Sequence, residues 1–178
     1  MFKVAEHLKE LAERQLRERA GRAPDGPQRP VTTVKSRGLQ GLQFRATVEG
    51  HSFISDEGEQ MGGTDAGPAP LRYFLAGIMM CHQVWTVKSA ALLDLQIDRI
   101  ESEISGYVGA SSPDLPPGFT RMTLTVAIDS PNRAEEVTRI VDEATRRCPA
   151  FVTAARGSRI DVTVEHNGQV VHEQSYGA

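Results

Sequence analysis

Residues 71–94 predict a long helix that is apolar nearly all round, and this segment most constrains the fold. A helix with no polar face must be buried, either in the core of its own protein or at a subunit interface. The longest apolar run within it, residues 73–81, is far too short to span a bilayer, which takes about 20 residues. We therefore expect a buried central helix around which shorter elements pack.

Short strands are expected on both sides of this helix. Three precede it, at residues 31–36, 42–50 and 51–56, and the Ser36-Arg37-Gly38 stretch is interpreted as the turn after the first. Two more are expected at residues 97–108 and 119–129. The glycines and prolines of residues 61–70 mark a loop that leads into the helix, with Pro70 suited to its first turn.

The last third of the chain predicts a second helix and a hairpin. Residues 130–148 are amphipathic, with Ser130 as the expected N-cap and Pro131 at the first helical position. A short helical turn follows, and Asn167-Gly168 is a strong signal for a closing hairpin. This order predicts an α+β domain whose helices are segregated from antiparallel sheet.

The N-terminus is expected to be an extra element. Residues 2–20 show apolar side chains at helical spacing, and residues 21–30 are a Pro/Gly-rich linker. The predicted organisation is an N-terminal helix and linker over residues 1–30, followed by one domain over residues 31–178. With 39% hydrophobic and 24% charged residues, that domain is expected to have a packed core.

Charge and motif content exclude several classes of function. A net charge of −3 gives no footprint for nucleic acid or an anionic membrane surface. The charged N-terminus has no apolar signal core, so a cytoplasmic location is expected. The histidines are scattered, and no CxxC, HxxxH or HExxH motif predicts a metal site.

The chain has two cysteines, Cys81 inside the long helix and Cys148 directly after the second helix. A free cysteine is most often a buried, inert core residue. A stable structural disulfide is not expected in the cytoplasm. A bond between these two cysteines would be transient, redox-sensing or catalytic.

The surroundings of both cysteines carry a family resemblance. Gly67-Pro68-Ala69-Pro70, separated from Cys81 by ten residues, is similar to the start of a G-x-x-P-x-x-L-L-x-A-x-x-x-C helix motif, and Ala144 to Pro149 ends in a matching Cys-Pro. Over residues 31–175 the chain resembles the OsmC/Ohr family of osmotically inducible protein C and organic hydroperoxide resistance proteins. The resemblance implies an OsmC-like fold and an intertwined homodimer with active sites at the subunit interface.

The resemblance also implies a function. Cys81 would be the peroxidatic thiol and Cys148 the resolving thiol of a peroxidase acting on organic hydroperoxides. The resemblance implies no bound cofactor, but it implies an external dithiol donor such as a lipoyl protein or thioredoxin. The chemistry fits, because a thiolate attacks the peroxide and the resulting sulfenic acid condenses with a second thiol.

The remaining candidate site residues are two arginines and an apolar wall. Arg37 is the best match to the arginine that the family places against the thiolate. Arg72 stands where the family carries a glutamate that orients this arginine, so it either stabilises the thiolate directly or repels Arg37. Phe74, Ile78 and Trp85 are candidates to line an organic substrate, although helical spacing alone favours plain core residues.

Two alternatives remain open at this point. The first is a non-catalytic or regulatory OsmC-like binding protein that keeps the fold but lacks the orienting glutamate. The second is a hydrolase or acyl-transfer enzyme that uses Cys81 with His82, although no third group is evident to orient the histidine.

Overall fold

The computed structural model describes residues 4–22, 30, 32–109, 118–156, 160–166 and 169–176, the last two segments by their backbone. The elements, in chain order, are α1 (Leu8–Ala20), β1 (Lys35–Gly38), β2 (Phe44–Val48), β3 (His51–Ser55), a 3-10 turn (Glu59–Met61), α2 (Pro70–Leu92), β4 (Arg99–Val108), β5 (Phe119–Asp129), α3 (Ala134–Arg147), α4 (Pro149–Arg156), β6 (Ile160–His166) and β7 (Gln169–Tyr176). The predicted α+β class with antiparallel sheets is confirmed.

The chain divides into two compact units. The sheet unit comprises His7–Gly77 and Ile104–Leu124, and the thiol unit is built on Ile78–Glu103 and Thr125–Ala178. The long helix α2 and the strands β4 and β5 contribute residues to both units. Both cysteines belong to the thiol unit.

In the sheet unit, β1, β2 and β3 form an antiparallel sheet in sequence order. The two-residue turn Glu49-Gly50 joins β2 to β3, and both residues have positive φ, as a type I′ hairpin turn requires. The prediction of a turn at Arg37 is wrong. Arg37 lies inside β1, paired with Arg45 of β2, and the chain turns at residues 39–43, where the Leu39 N–H donates to the Gln43 carbonyl at 2.9 Å.

The loop between β3 and α2 is organised by the buried carboxylate of Asp56. Asp56 accepts hydrogen bonds from the backbone N–H of Glu57, Thr64 and Ala66 and from the Thr64 hydroxyl, at 2.7 to 3.2 Å. These bonds, with the Thr64 hydroxyl contributing most, lower the pKa of Asp56 to about 2. These contacts give Asp56 a structural role in holding the loop.

The loop delivers the chain to α2, which begins at Pro70 as expected. Gly67 packs against the Ile54 carbonyl so closely that a Cβ atom could not be accommodated. Tyr73, in the first turn of α2, donates its hydroxyl to the same carbonyl at 2.7 Å. The first turn of α2 is thereby anchored to β3.

In the thiol unit, the core forms around Ala90, Ile97 and Ile140, against which Leu93 and Ile128 pack. The predicted start of α3 is wrong. Arg133 is the N-cap, and its N–H donates to the Glu136 carboxylate at 3.0 Å. Ser130 lies outside the helix because its hydroxyl donates instead to the Gln96 carbonyl at 2.7 Å and accepts from the Asn132 N–H.

The ends of the chain differ from expectation in detail. Helix α1 begins at Leu8 rather than at residue 2, and Ala12 is fully buried on its half-buried apolar stripe. At the other end β6 and β7 pair antiparallel, as predicted, while the Asn167-Gly168 turn lies outside the described residues. Among the described residues, no helix has the length and apolar character needed to cross a membrane.

Candidate active site

The two cysteines come together in the thiol unit. Cys81 lies half-buried in α2, and Cys148 is fully buried directly after α3. Both are free thiols, and Cys81 lies close enough to Cys148 to raise the pKa of the Cys148 thiol. Residues 67 positions apart in the sequence are therefore adjacent in space, in the arrangement that a thiol–disulfide cycle needs.

Local sequence explains where Cys148 sits. A residue before proline is disfavoured in helical conformation, and Cys148 is extended (φ −73°, ψ 112°), which ends α3. Pro149 then occupies the first position of α4, where its missing N–H costs nothing. Cys148 thus becomes the N-cap of α4, and its sulfur accepts the Phe151 N–H at 3.4 Å.

Burial dominates the electrostatics of Cys148. Burial, with the neighbouring Cys81 acting in the same direction, raises the pKa of the Cys148 thiol from its ordinary value near 9 to about 11. The N–H groups of Phe151 and Ala150 act in the opposite direction without overcoming burial. Cys148 is therefore a protonated thiol at neutral pH.

His82 follows Cys81 in the chain but is directed into the core. Its side chain is 1% exposed, Nε2 lies 3.0 Å from the Thr145 hydroxyl, and Nδ1 lies 3.4 Å from the Thr86 hydroxyl. Both ring nitrogens therefore face threonine hydroxyls, so the ring is not placed as a general base for Cys81. The contact with Thr145 spans 63 residues, and no local sequence pattern signals it.

The two candidate arginines belong to the sheet unit. Arg37 is exposed on β1, directly opposite Arg45 of β2. Arg72, in the first turn of α2, lines an open polar cavity of about 530 Å³ together with Glu57, Glu59 and Asp65. Within the part of the chain that the structure describes, neither arginine has an ion-pair partner. Their action on Cys81 stays a prediction.

The three apolar candidates have different surroundings. Phe74 is 47% exposed and stacks on Phe119 of β5, with ring centroids 6.3 Å apart. Ile78 and Trp85 are buried, and Lys88 Nζ lies 5.0 Å from the Trp85 ring. Phe74 is thus the accessible member of the set, while Ile78 and Trp85 serve as core residues of the thiol unit.

A metal centre finds no support in the described segments, which contain no group of three or more His, Cys, Asp or Glu side chains able to hold an ion. The candidate site of the thiol unit therefore consists of the two cysteines and the buried residues that contact them.

The chain is similar to several known proteins. The chain is 29% identical over 98 residues to a hydroperoxide reductase from Mycoplasma genitalium, covering 55% of this chain and 70% of that protein. The crystal structure of an OsmC-like protein from Mycoplasma pneumoniae matches with a TM-score of 0.64 at 20% identity, over 73% of this chain and 91% of the other.

Two organic hydroperoxide resistance proteins share the fold. The structure from Legionella pneumophila has a TM-score of 0.55 at 16% identity, over 74% of this chain and 93% of its own. The one from Elizabethkingia anophelis has a TM-score of 0.59 at 16% identity, over 74% and 92%. The family model described as OsmC-like protein matches residues 63–163, which include α2, both cysteines and their contacts. The chain belongs to the OsmC-like protein family.

Proposed function

We propose that this protein is a thiol-dependent peroxidase that reduces organic hydroperoxides through Cys81 and Cys148. The observation that carries the proposal is the pair of neighbouring cysteines, in which one thiol is half-buried and the other fully buried. Membership of the OsmC-like family and similarity to a protein named hydroperoxide reductase support the same chemistry.

Accessibility assigns the two roles. A peroxide approaching from solvent can reach the half-buried Cys81 but not Cys148, whose side chain has no exposed surface. The Cys81 thiolate attacks the distal peroxide oxygen, the O–O bond breaks, and the leaving alkoxide takes a proton to become an alcohol. Cys81 is left as a sulfenic acid, oxidised by two electrons.

Cys148 then resolves the intermediate. Its sulfur attacks Cys81, forming the disulfide, and the hydroxyl leaves as water with the thiol proton. Part of the raised pKa of Cys148 comes from the negative charge of Cys81, and the neutral sulfenic acid removes this repulsion. Cys148 is thus held as a thiol before peroxide attack and becomes easier to ionise once attack has occurred. An external dithiol returns both cysteines to the reduced state by exchange.

The residues that we propose for binding the substrate and for activating the thiolate belong to the sheet unit. The exposed Phe74 and its partner Phe119 offer an apolar surface suited to the organic part of a hydroperoxide. Arg37 is the proposed cation against the Cys81 thiolate, and its exposure without an ion-pair partner among the described residues leaves it available.

The proposed working form is an intertwined homodimer. Helix α2 buries His82, Trp85 and Ser89 on one face, yet exposes Met80 and Val84 at 54% and 51% on another. Exposed apolar side chains on such an apolar helix are typical of a surface that a second subunit covers. A site shared between two subunits would bring Arg37 and the cysteines together, and the cytoplasm would supply the dithiol donor.

A single-turnover experiment tests the proposal. Reduced protein is mixed with one equivalent of cumene hydroperoxide, and peroxide consumption, thiol loss and the Cys81–Cys148 peptide pair are followed together. We expect one peroxide consumed for two thiols lost, with an intramolecular disulfide as product. Two free thiols and unconsumed peroxide would reject the peroxidase and favour a non-catalytic member of the family.

A further inference from the structure

A buried histidine joins the two segments that carry the thiols. His82 is the residue after Cys81 in α2, and Thr145 lies three residues before Cys148 in α3. Nε2 of His82 and Oγ1 of Thr145 are 3.0 Å apart. The imidazole takes no direct part in the proposed peroxide chemistry, because it is 1% exposed and both its nitrogens face threonine hydroxyls.

The hydroxyl partners fix the direction of this hydrogen bond. Thr145 donates its single hydroxyl hydrogen to the Val141 carbonyl at 2.9 Å, so its oxygen must accept from Nε2–H. The Thr86 hydroxyl donates to the His82 carbonyl at 3.0 Å and lies 3.4 Å from Nδ1. Burial lowers the pKa of His82, which keeps the ring neutral with its one proton on Nε2.

The ring also contacts α4, the helix that the resolving thiol caps. The His82 and Phe151 rings are 5.8 Å apart and tilted by 54°. Phe151 is the residue whose N–H donates to the Cys148 sulfur. One side chain in α2 therefore holds α3 by a hydrogen bond and α4 by ring packing, on either side of Cys148.

We propose that His82 is a positioning residue that holds α3 and α4 against α2 so that the Cys148 sulfur meets the Cys81 sulfur. The proposal rests on the proposed function for its role in turnover, where it serves the step that joins the two sulfurs and releases water. The physical effect belongs to the reduced protein itself, because fixing two reacting groups in contact raises their effective concentration.

The test measures disulfide formation in a glutathione redox buffer, which needs no peroxide. Oxidised glutathione takes two electrons from the dithiol protein, giving the Cys81–Cys148 disulfide and two reduced glutathiones. We expect His82→Leu and Thr145→Val each to lower this equilibrium constant about tenfold, the loss typical of one buried hydrogen bond. Because both act on one contact, the double variant should be little worse than either single variant.

Two further variants separate positioning from general damage. His82→Gln should recover most of the wild-type constant, because its amide nitrogen can donate to the Thr145 hydroxyl. Thr138→Val is the matched control, since Thr138 makes the same bond to the carbonyl four residues earlier (Ala134, 3.0 Å) on the exposed face of α3. It should behave as wild type.

The outcomes are decisive in each direction. Wild-type constants in folded His82→Leu and Thr145→Val would overturn the positioning role, as would an equal loss in Thr138→Val. If His82→Leu fails to fold, Thr145→Val decides, because it keeps the histidine and the side-chain volume. A wild-type protein that forms the disulfide with glutathione but ignores cumene hydroperoxide would refute the peroxidase while leaving the positioning role intact.

Discussion

Phe151 donates its backbone N–H to the Cys148 sulfur across 3.4 Å, so a thiol occupies the place that serine or threonine usually takes at a helix N-terminus. The same thiol lies close enough to Cys81 for Cys81 to raise its pKa. Cys148 therefore has two duties, capping α4 and facing the second thiol. Because a hydroxyl can take over the first duty but not the second, the two can be separated by mutation.

Cys148→Ser should keep the fold but should be unable to convert the Cys81 sulfenic acid into a disulfide. The serine hydroxyl can accept the Phe151 N–H, so α4 stays capped. Peroxide should still oxidise Cys81, but the sulfenic acid should persist and be trapped by dimedone in the mass spectrum. Steady-state turnover with a dithiol should fall at least about tenfold, because an intramolecular step is replaced by a bimolecular one.

The matched control for that variant is Cys81→Ser, which should show neither sulfenic acid nor turnover. Wild-type turnover in Cys148→Ser would remove Cys148 from the cycle. Sulfenic acid on Cys148 in the Cys81→Ser protein would reverse the assignment of the two roles.

Alkaline pH should destabilise the protein through Cys148. Its pKa is raised from near 9 to about 11 in the folded state, so between these values the unfolded chain has lost a proton that the folded chain keeps. Stability therefore falls as pH rises through this window, by about 2 to 3 kcal/mol for this group. Urea unfolding at about pH 8 and about pH 11 measures the loss.

Lysines and tyrosines also titrate in this pH range, but they do so in both wild type and Cys148→Ser. The difference between the pH profiles of stability of the two proteins therefore gives the contribution of Cys148. The serine protein should lose less stability over the same interval. Cys81→Ser should fall between the two, because it removes the part of the shift that Cys81 causes. Identical pH profiles for wild type and Cys148→Ser would contradict the raised pKa.

Local signals in the sequence were sufficient to predict the helix that carries Cys81. A proline at the first helical position and an apolar period of 3.6 residues placed the start of α2 at Pro70. Cys-Pro likewise marked the end of α3. These patterns involve residues that are close together in the sequence, so they can be interpreted without knowledge of the tertiary structure.

Features that depend on distant partners could not be predicted in this way. Ser130 has the chemistry of an N-cap, but the Gln96 carbonyl, 34 residues away, takes its hydroxyl hydrogen. Arg37 was expected in a turn because Gly38 follows it, yet pairing with β2 extends the strand to Gly38. The contact of His82 with Thr145 spans 63 residues, and no sequence pattern near either residue predicts it.

Asp56→Asn should loosen the loop that leads into α2. The carboxylate accepts four hydrogen bonds, and a neutral amide, with one acceptor oxygen, cannot replace them all. We expect a lower Tm and faster amide exchange at Thr64 and Ala66. Asp65→Asn is the control, because Asp65 has φ +56°, which asparagine tolerates, and it should leave both quantities unchanged.

The same carboxylate predicts a pH dependence on the acid side. Because the pKa of Asp56 is lowered to about 2, its contribution is complete above the unfolded value near 4 and is lost as pH falls through about 2. In acid unfolding, the gap in stability between wild type and Asp56→Asn should therefore close as pH falls. A gap that stays constant down to about pH 2 would show that the carboxylate charge has no part in it.

Val84→Lys should convert the proposed dimer into a monomer. Val84 is exposed on the apolar face of α2 that also carries Met80, so an ammonium there would be buried without a partner on association. Such burial costs about 3 kcal/mol or more, which raises the dissociation constant at least about a hundredfold. Sedimentation at micromolar concentration should then show a monomer, while Thr138→Lys on the exposed face of α3 stays dimeric. A monomeric wild type, or a Val84→Lys protein as dimeric as wild type, would show that this face of α2 is not the subunit interface.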